Sequence, residues 1–149
     1  MEDPKGALKT ALKDAMKSKD NQRRDVIRLV QSAIKQVEID TQKDLSTEEV
    51  MDLLQKEAKK RREAIEDYER AGRPEMAEGE RAELAVLEDF LPKQLTAEEI
   101  GAIVEEVIAE TGAASAKDMS KVMGPVMARV KGVADGKQVN QIVREKLSN

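Results

Sequence analysis

The apolar residues of this chain recur every three to four positions and nowhere alternate with polar ones over a useful length. That spacing decides the fold class. Val26, Ile27, Val30, Ala33, Ile34 and Val37 fall at i, i+1, i+4, i+7, i+8 and i+11, which draws one broad stripe down a helix but would scatter over both faces of a strand. Ile100, Ile103, Val104, Val107 and Ile108 repeat the pattern, as do Met119, Val122, Met123, Val126, Met127 and Val130. The expected fold is therefore all-α.

Stop signals divide the pattern into seven helices. The first follows Pro4 and covers about residues 5–18. The second starts at Asp20, an N-cap type, and Ser46-Thr-Glu-Glu49 is a capping box that opens the third. Its inward face carries Val50, Leu53, Leu54, Ala58, Ile65 and Tyr68. Gly72 ends it, and Pro74 starts a fourth helix that reaches about Phe90. Leu91-Pro92 is the best boundary, because the residue before proline is pushed out of the helical region. Thr96-Ala-Glu-Glu99 is a second capping box opening helix five, which Gly112 closes. The expected organisation is a four-helix N-terminal unit, residues 1–92, and a three-helix tail, residues 93–149, too small to bury much surface by itself.

Composition narrows the chemistry. The chain has no Cys and no His, and its only aromatics are Tyr68 and Phe90. The common zinc sites and the Ser-His and Cys-His nucleophile pairs are thereby excluded. Ser and Lys show no spacing of nucleophile and base, and Glu48, Glu49 and Asp52 read as acids complementing a helix dipole. No catalytic residue, metal or cofactor is expected. No apolar run approaches the roughly 20 residues of a membrane span, and the N-terminal MEDPKGALK lacks the apolar segment of a signal peptide. No membrane partner and a cytoplasmic location are expected.

The formal net charge of −4 hides a strong asymmetry. Residues 96–114 hold the acids Glu98, Glu99, Glu105, Glu106 and Glu110 and no base, whereas residues 115–149 set seven bases against Asp118, Asp135 and Glu145. Within that basic tail, MGPVMARVKGVADGKQVNQIV puts Gly124-Pro125 inside an apolar stripe. A joint follows that contains Gly132, Asp135 and Gly136. Pro125 is expected to kink or break helix six near Gly124, Gly132 to take the left-handed position that ends it, and Asp135 with Gln138 to cap helix seven. Lys137, Gln141, Arg144 and Ser148 share the face opposite Val139 and Val143, with Lys131 and Lys121 nearby on helix six. Lys146 projects near the apolar stripe, where it would snorkel. From these residues alone two readings stand: a solvated face, or a surface that holds an anion beside a helix N-terminus.

Longer strings carry a resemblance. AELAVLEDFLPKQLTAEE and KDMSKVMGPVMARVKGVADGKQVNQIVREKL resemble the YqeY-like family, as do RRDVIRLVQSAIKQVEID and LLQKEAKKRREAIEDYERAGR. The tail alone is similar to the GatB/YqeY tail domain at the C-terminus of the B subunit of glutamyl-tRNA(Gln) amidotransferase. There it is implicated in binding the body of tRNA. Amidotransferase tails commonly have proline where Gly136 stands. Lys131-Gly132 and Lys137 through Leu147 match that tail's pattern, and with the neighbouring bases of helix six the expected RNA-binding set is Lys121, Arg129, Lys131, Gly132, Lys137, Asn140, Gln141 and Arg144.

A secondary basic strip is Arg23, Arg24 and Arg28, and KEAKKRRE at residues 56–63 is a further cluster; either is also readable as a face laced with ion pairs. The implied function is a non-catalytic protein that binds or associates with tRNA, with tRNA or another structured RNA as partner and possible company of a tRNA-charging or amidating enzyme. The kinase-like catalytic part of the amidotransferase has no counterpart in this chain. One alternative is an adaptor whose acidic helix five and Met-rich helix six dock a helical partner. A more distant one is an accessory to a carbon–nitrogen ligase that uses glutamine as amide donor.

Overall fold

The computed structural model describes residues 3–148; Met1, Glu2 and Asn149, at the outer ends of the two expected domains, lie outside the described residues. The element order is α1 (Pro4–Ser18), α2 (Asn21–Thr41), α3 (Thr47–Arg70), α4 (Pro74–Glu88), α5 (Ala97–Thr111), a single 3-10 turn (Ala116–Asp118), α6 (Met119–Val130) and α7 (Gly136–Ser148). No strand occurs among the described residues, and the chain is all-α. It divides into two compact units, one ending at Pro92 and one beginning at Lys93.

In the first unit Leu8, Ile27, Val30, Val50, Leu54, Ala58 and Leu87 are almost wholly buried, and Phe90 packs against them from the edge. Periodicity selects these residues, since each lies on the apolar stripe of its helix. The stripe of α2 ends sooner than expected: Ile34 is buried, but Val37 is 36% exposed. α3 packs chiefly on α4 and only sparingly on α2, so the end of α2 outruns its cover.

Helix ends follow local chemistry. Asp3 caps α1, its carboxylate accepting from Lys5 N–H at 3.2 Å, so α1 begins on Pro4 itself. Both capping boxes form as expected, Ser46 with Glu49 and Thr96 with Glu99. α1, α2 and α3 all close in the double-bonded left-handed motif, with Asp20 N–H donating to Ala15, Lys43 to Glu38 and Arg73 to Tyr68. Gly72 supplies the left-handed residue for α3, but Lys19 (φ 60°) and Gln42 (φ 55°) supply it for α1 and α2. α4 stops at Glu88, short of Phe90, because Asp89, Phe90 and Leu91 tighten into bonds spanning three residues.

The second unit has a valine-rich core: Val104, Val107, Val122, Val126, Val130, Val139 and Val143 are fully buried with Ile100, and Met119, Met123 and Met127 pack against them half-buried. α6 is continuous through Pro125, contrary to the break considered from the sequence. Pro125 is exposed and stands on the outer face. The Lys121 carbonyl that loses its partner there can turn to water, which limits the penalty of a mid-helix proline.

Candidate nucleic-acid interface

The corner between α6 and α7 is built by backbone conformation. Lys131 takes φ −53°, ψ 124° and Gly132 takes φ +80°. Val133 N–H donates to the Val130 carbonyl at 3.0 Å, which completes a type II turn. Gly132 is left-handed as expected, but as the third residue of this turn and not as a simple helix cap. Val139 N–H bonds the Asp135 carbonyl at 3.0 Å, which puts Asp135 at the cap position of α7. The segment before α5 fastens the corner from outside: Leu95 N–H donates to the Val133 carbonyl at 2.8 Å and the Gln94 amide to the Gly132 carbonyl at 3.3 Å. Sequence reasoning missed both, because bonds to backbone carbonyls about 38 residues away leave no trace in side-chain pattern.

The structure sorts the expected basic residues into two groups. Lys121 pairs with Asp118 (3.5 Å) and Arg129 with Glu106 on α5 (2.7 Å). Lys146 reaches Glu105 (2.6 Å), its Cε lying 3.5 Å from where a Cβ on Gly101 would stand. That is the snorkelling expected of it, with α5 as the surface covered. Lys131 and Arg144, by contrast, are exposed and lie in no ion pair among the described residues; Arg144 donates to the neutral Asn140 side-chain oxygen at 3.2 Å. Lys137 and Gln141 are also exposed, and Gln141 bonds Glu145 at 3.4 Å. The acids that stay in place are shaped by backbone donors. The Ala114 N–H, ahead of Lys121, holds Asp118 below the usual carboxylate range, and the Thr96 N–H does the same for Glu99.

The secondary strip is largely engaged. Arg23 donates to Asp89 at 2.6 Å and lies over the Phe90 ring at 5.6 Å from its centre. Arg24 pairs with Asp25 at 2.9 Å, and Arg28 approaches the Met16 sulfur at 3.9 Å. In the 56–63 cluster, Arg61 is only 12% exposed and faces Glu57, Glu80 and Glu83 at 3.7, 3.6 and 2.9 Å. Its Nε–H is poorly aligned with Glu83, so the close approach is coulombic and not a directed hydrogen bond. No polar side chain is fully buried among the described residues, and no group of acids there has the geometry of a metal site.

An all-α chain of two compact helical units belongs, by fold, with the small all-α proteins. The match to a family model is specific: residues 5–147 match the model described as Yqey-like protein, and the chain belongs to the YqeY-like family. Among curated proteins it is similar to "Altered inheritance of mitochondria protein 41, mitochondrial" of Lachancea thermotolerans, 36% identical over 69% of this chain and 57% of that protein. The protein of the same name from Kluyveromyces lactis is 36% identical, over 70% of this chain and 58% of its own length. That from Pyrenophora tritici-repentis is 33% identical over 93% of this chain and 77% of its own length. The chain thus spans less than three-fifths of the first two relatives.

These names correct the expectation of a cytoplasmic location: the relatives are mitochondrial proteins by name. That expectation rested on the lack of an apolar signal segment and of a spanning helix. Mitochondrial targeting segments are amphipathic and Arg-rich, so neither test bears on that compartment. No described helix is long and apolar enough to cross a membrane.

Proposed function

We propose that this YqeY-like chain binds tRNA, or another structured RNA, through the phosphate backbone, using the exposed cations of α7 and the α6–α7 corner, and performs no chemical step itself. The observation that carries the reading is the sorting of the tail's cations. Among the described residues Lys131 and Arg144 stay out of ion pairs in a unit whose α5 supplies five carboxylates, two of which already neutralise Arg129 and Lys146. A merely solvated helix would gain by pairing them. Phosphate contacts need such available charge, and with only Tyr68 and Phe90 as aromatics the chain has little to stack on bases. Recognition would follow the shape of folded RNA and not its sequence.

The test is a salt titration of tRNA binding by the parent and by the double variant Lys131→Glu, Arg144→Glu. Losing two phosphate contacts at about 0.7 each should lower the log–log salt slope by about 1.4 and weaken binding, with helix content unchanged. Equal affinity and equal slope in the two proteins would refute the proposal.

A further inference from the structure

We infer that the cleft between α2 and α3 is a docking groove for an amphipathic helix of a protein partner, held antiparallel to α3. The inference concerns the first unit and stands apart from the RNA reading. The cleft has a volume of about 550 Å³, and Ala33, Val37, Leu45 and Leu53 form its apolar floor. At about 100° per residue Val37 falls between Val26 and Val30 around α2, on the face that is buried further up the same helix. It is 36% exposed because α3 and α4 no longer cover it. A core-facing residue without its cover is a place where a further helix can complete the packing.

The groove is firmly built. Glu38 Oε2 accepts from Leu45 N–H at 2.7 Å and also binds Lys5, so the loop from α2 to α3 is tied to α1 and closes one end. Charge then chooses the occupant. Along α3 the rim carries Glu49, Asp52, Lys56, Glu57 and Lys60. Glu49 is held by Lys43 at 3.2 Å and Lys60 by Glu57 at 3.3 Å. Asp52 and Lys56 are exposed, lie in no ion pair among the described residues, and are one turn apart. A partner must therefore present a base beside Asp52 and an acid beside Lys56. Within one helix an acid four residues before a base is the favoured order. A partner helix of that ordinary polarity meets both charges only when it runs antiparallel to α3.

The experiment uses the full chain and two fluorescein-labelled peptides of about 18 residues, long enough to hold helix. Both carry leucines at i, i+3 and i+7. One has a glutamate four residues before a lysine beside its leucines, and the other has the two exchanged. Anisotropy should show the acid-first peptide binding at least tenfold more tightly. Val37→Glu should remove that binding, and the exchange Asp52→Lys with Lys56→Glu should invert the preference while leaving the floor intact. Circular dichroism checks that the variants keep their helix content, and the charge exchange still decides the matter if Val37→Glu does not fold. No binding by either peptide, equal binding by both, or a preference untouched by the exchange overturns the inference. So does a concentration-dependent dimer abolished by Val37→Glu, which would make a second copy of the chain the occupant, or displacement of the peptide by tRNA.

Discussion

Arg61 in the first unit and Arg144 in the second are both arginines on a helix of a basic-looking segment, yet they do opposite things. Arg61 is drawn down among Glu57, Glu80 and Glu83, where it ties α3 to α4. Arg144 stands exposed beside a neutral amide. Most cations with named partners in the first unit follow Arg61: Arg81 binds Glu69 across to α3, Arg23 binds Asp89, and Lys5 binds Glu38. What separates the two arginines is whether their positive charge is already committed. Counting lysines and arginines along a sequence overstates what a surface can offer to an anion, since a paired cation must first lose its partner.

The sharpest way to break this contrast is to remove each arginine. Arg61→Ala leaves three carboxylates facing one another around a mostly covered site. It should destabilise the protein by about 2–3 kcal/mol, below the fully buried limit because Glu80 and Glu83 are partly solvated. Arg144→Ala should change stability by less than about 0.5 kcal/mol, as exposed substitutions do. Urea denaturation of both variants measures the gap. Comparable losses would mean that Arg144 holds the fold together and is not kept for a ligand.

Arg23 is the next test, because it belonged to the candidate secondary strip. Arg23→Ala removes an exposed ion pair with Asp89 and the contact over Phe90. Together these should be worth about 1 kcal/mol. Affinity for tRNA should stay within about twofold of the parent. A large loss of binding with intact stability would return Arg23 to the interface and spread the RNA surface over both units.

How much of this was legible in the sequence depends on the range of each interaction. Element type was legible throughout, because a 3.6-residue period needs only neighbours on one helix. Ion pairs within a turn, such as Lys121 with Asp118 or Arg61 with Glu57, follow from spacing. Arg129 with Glu106, Lys146 with Glu105 and Arg23 with Asp89 join residues 23, 41 and 66 positions apart, and only packing brings them together. The ends of α1 and α2 escaped for another reason: Lys19 and Gln42 adopt the left-handed conformation that glycine normally signals. Val37 fits the apolar stripe by spacing and fails it by position, since periodicity reports a face and not where the neighbouring helix stops. The corner residues Lys131 and Arg144 were visible as candidates, but their availability could be judged only once the partners of Arg129 and Lys146 were in view.

Helix caps allow a comparison in which the two units should behave alike. Ser46→Ala and Thr96→Ala each remove the hydroxyl that accepts from the Glu49 or Glu99 N–H, at 3.2 and 3.1 Å. Each should lower stability by about 1 kcal/mol, the usual worth of an N-cap side chain. A cost confined to Ser46 would show that α5 is held by the packing of its valines and gains nothing from its cap.

The smallest effect should come from the carboxylates of those same boxes. Backbone donation from Ser46 and Thr96 holds Glu49 and Glu99 below the usual carboxylate range, with Lys43 also helping Glu49. A depressed folded pKa contributes stability that is present above the unfolded value and is lost as pH falls through the folded one. Both helices should therefore loosen slightly as the solution becomes acid. Glutamine can still accept from the N-cap N–H, so Glu49→Gln and Glu99→Gln keep the box but lose this pH dependence. The two should part in their response to salt. Glu49 pairs with Lys43 at 3.2 Å, whereas Glu99 lies in no ion pair among the described residues. At low ionic strength Glu49→Gln should lower the melting temperature more than Glu99→Gln, and near 1 M salt, where screening acts within about 3 Å, the difference should close. A gap that persists at high salt would mean that the hydrogen-bond geometry of the two boxes differs, and that Lys43 has no part in it.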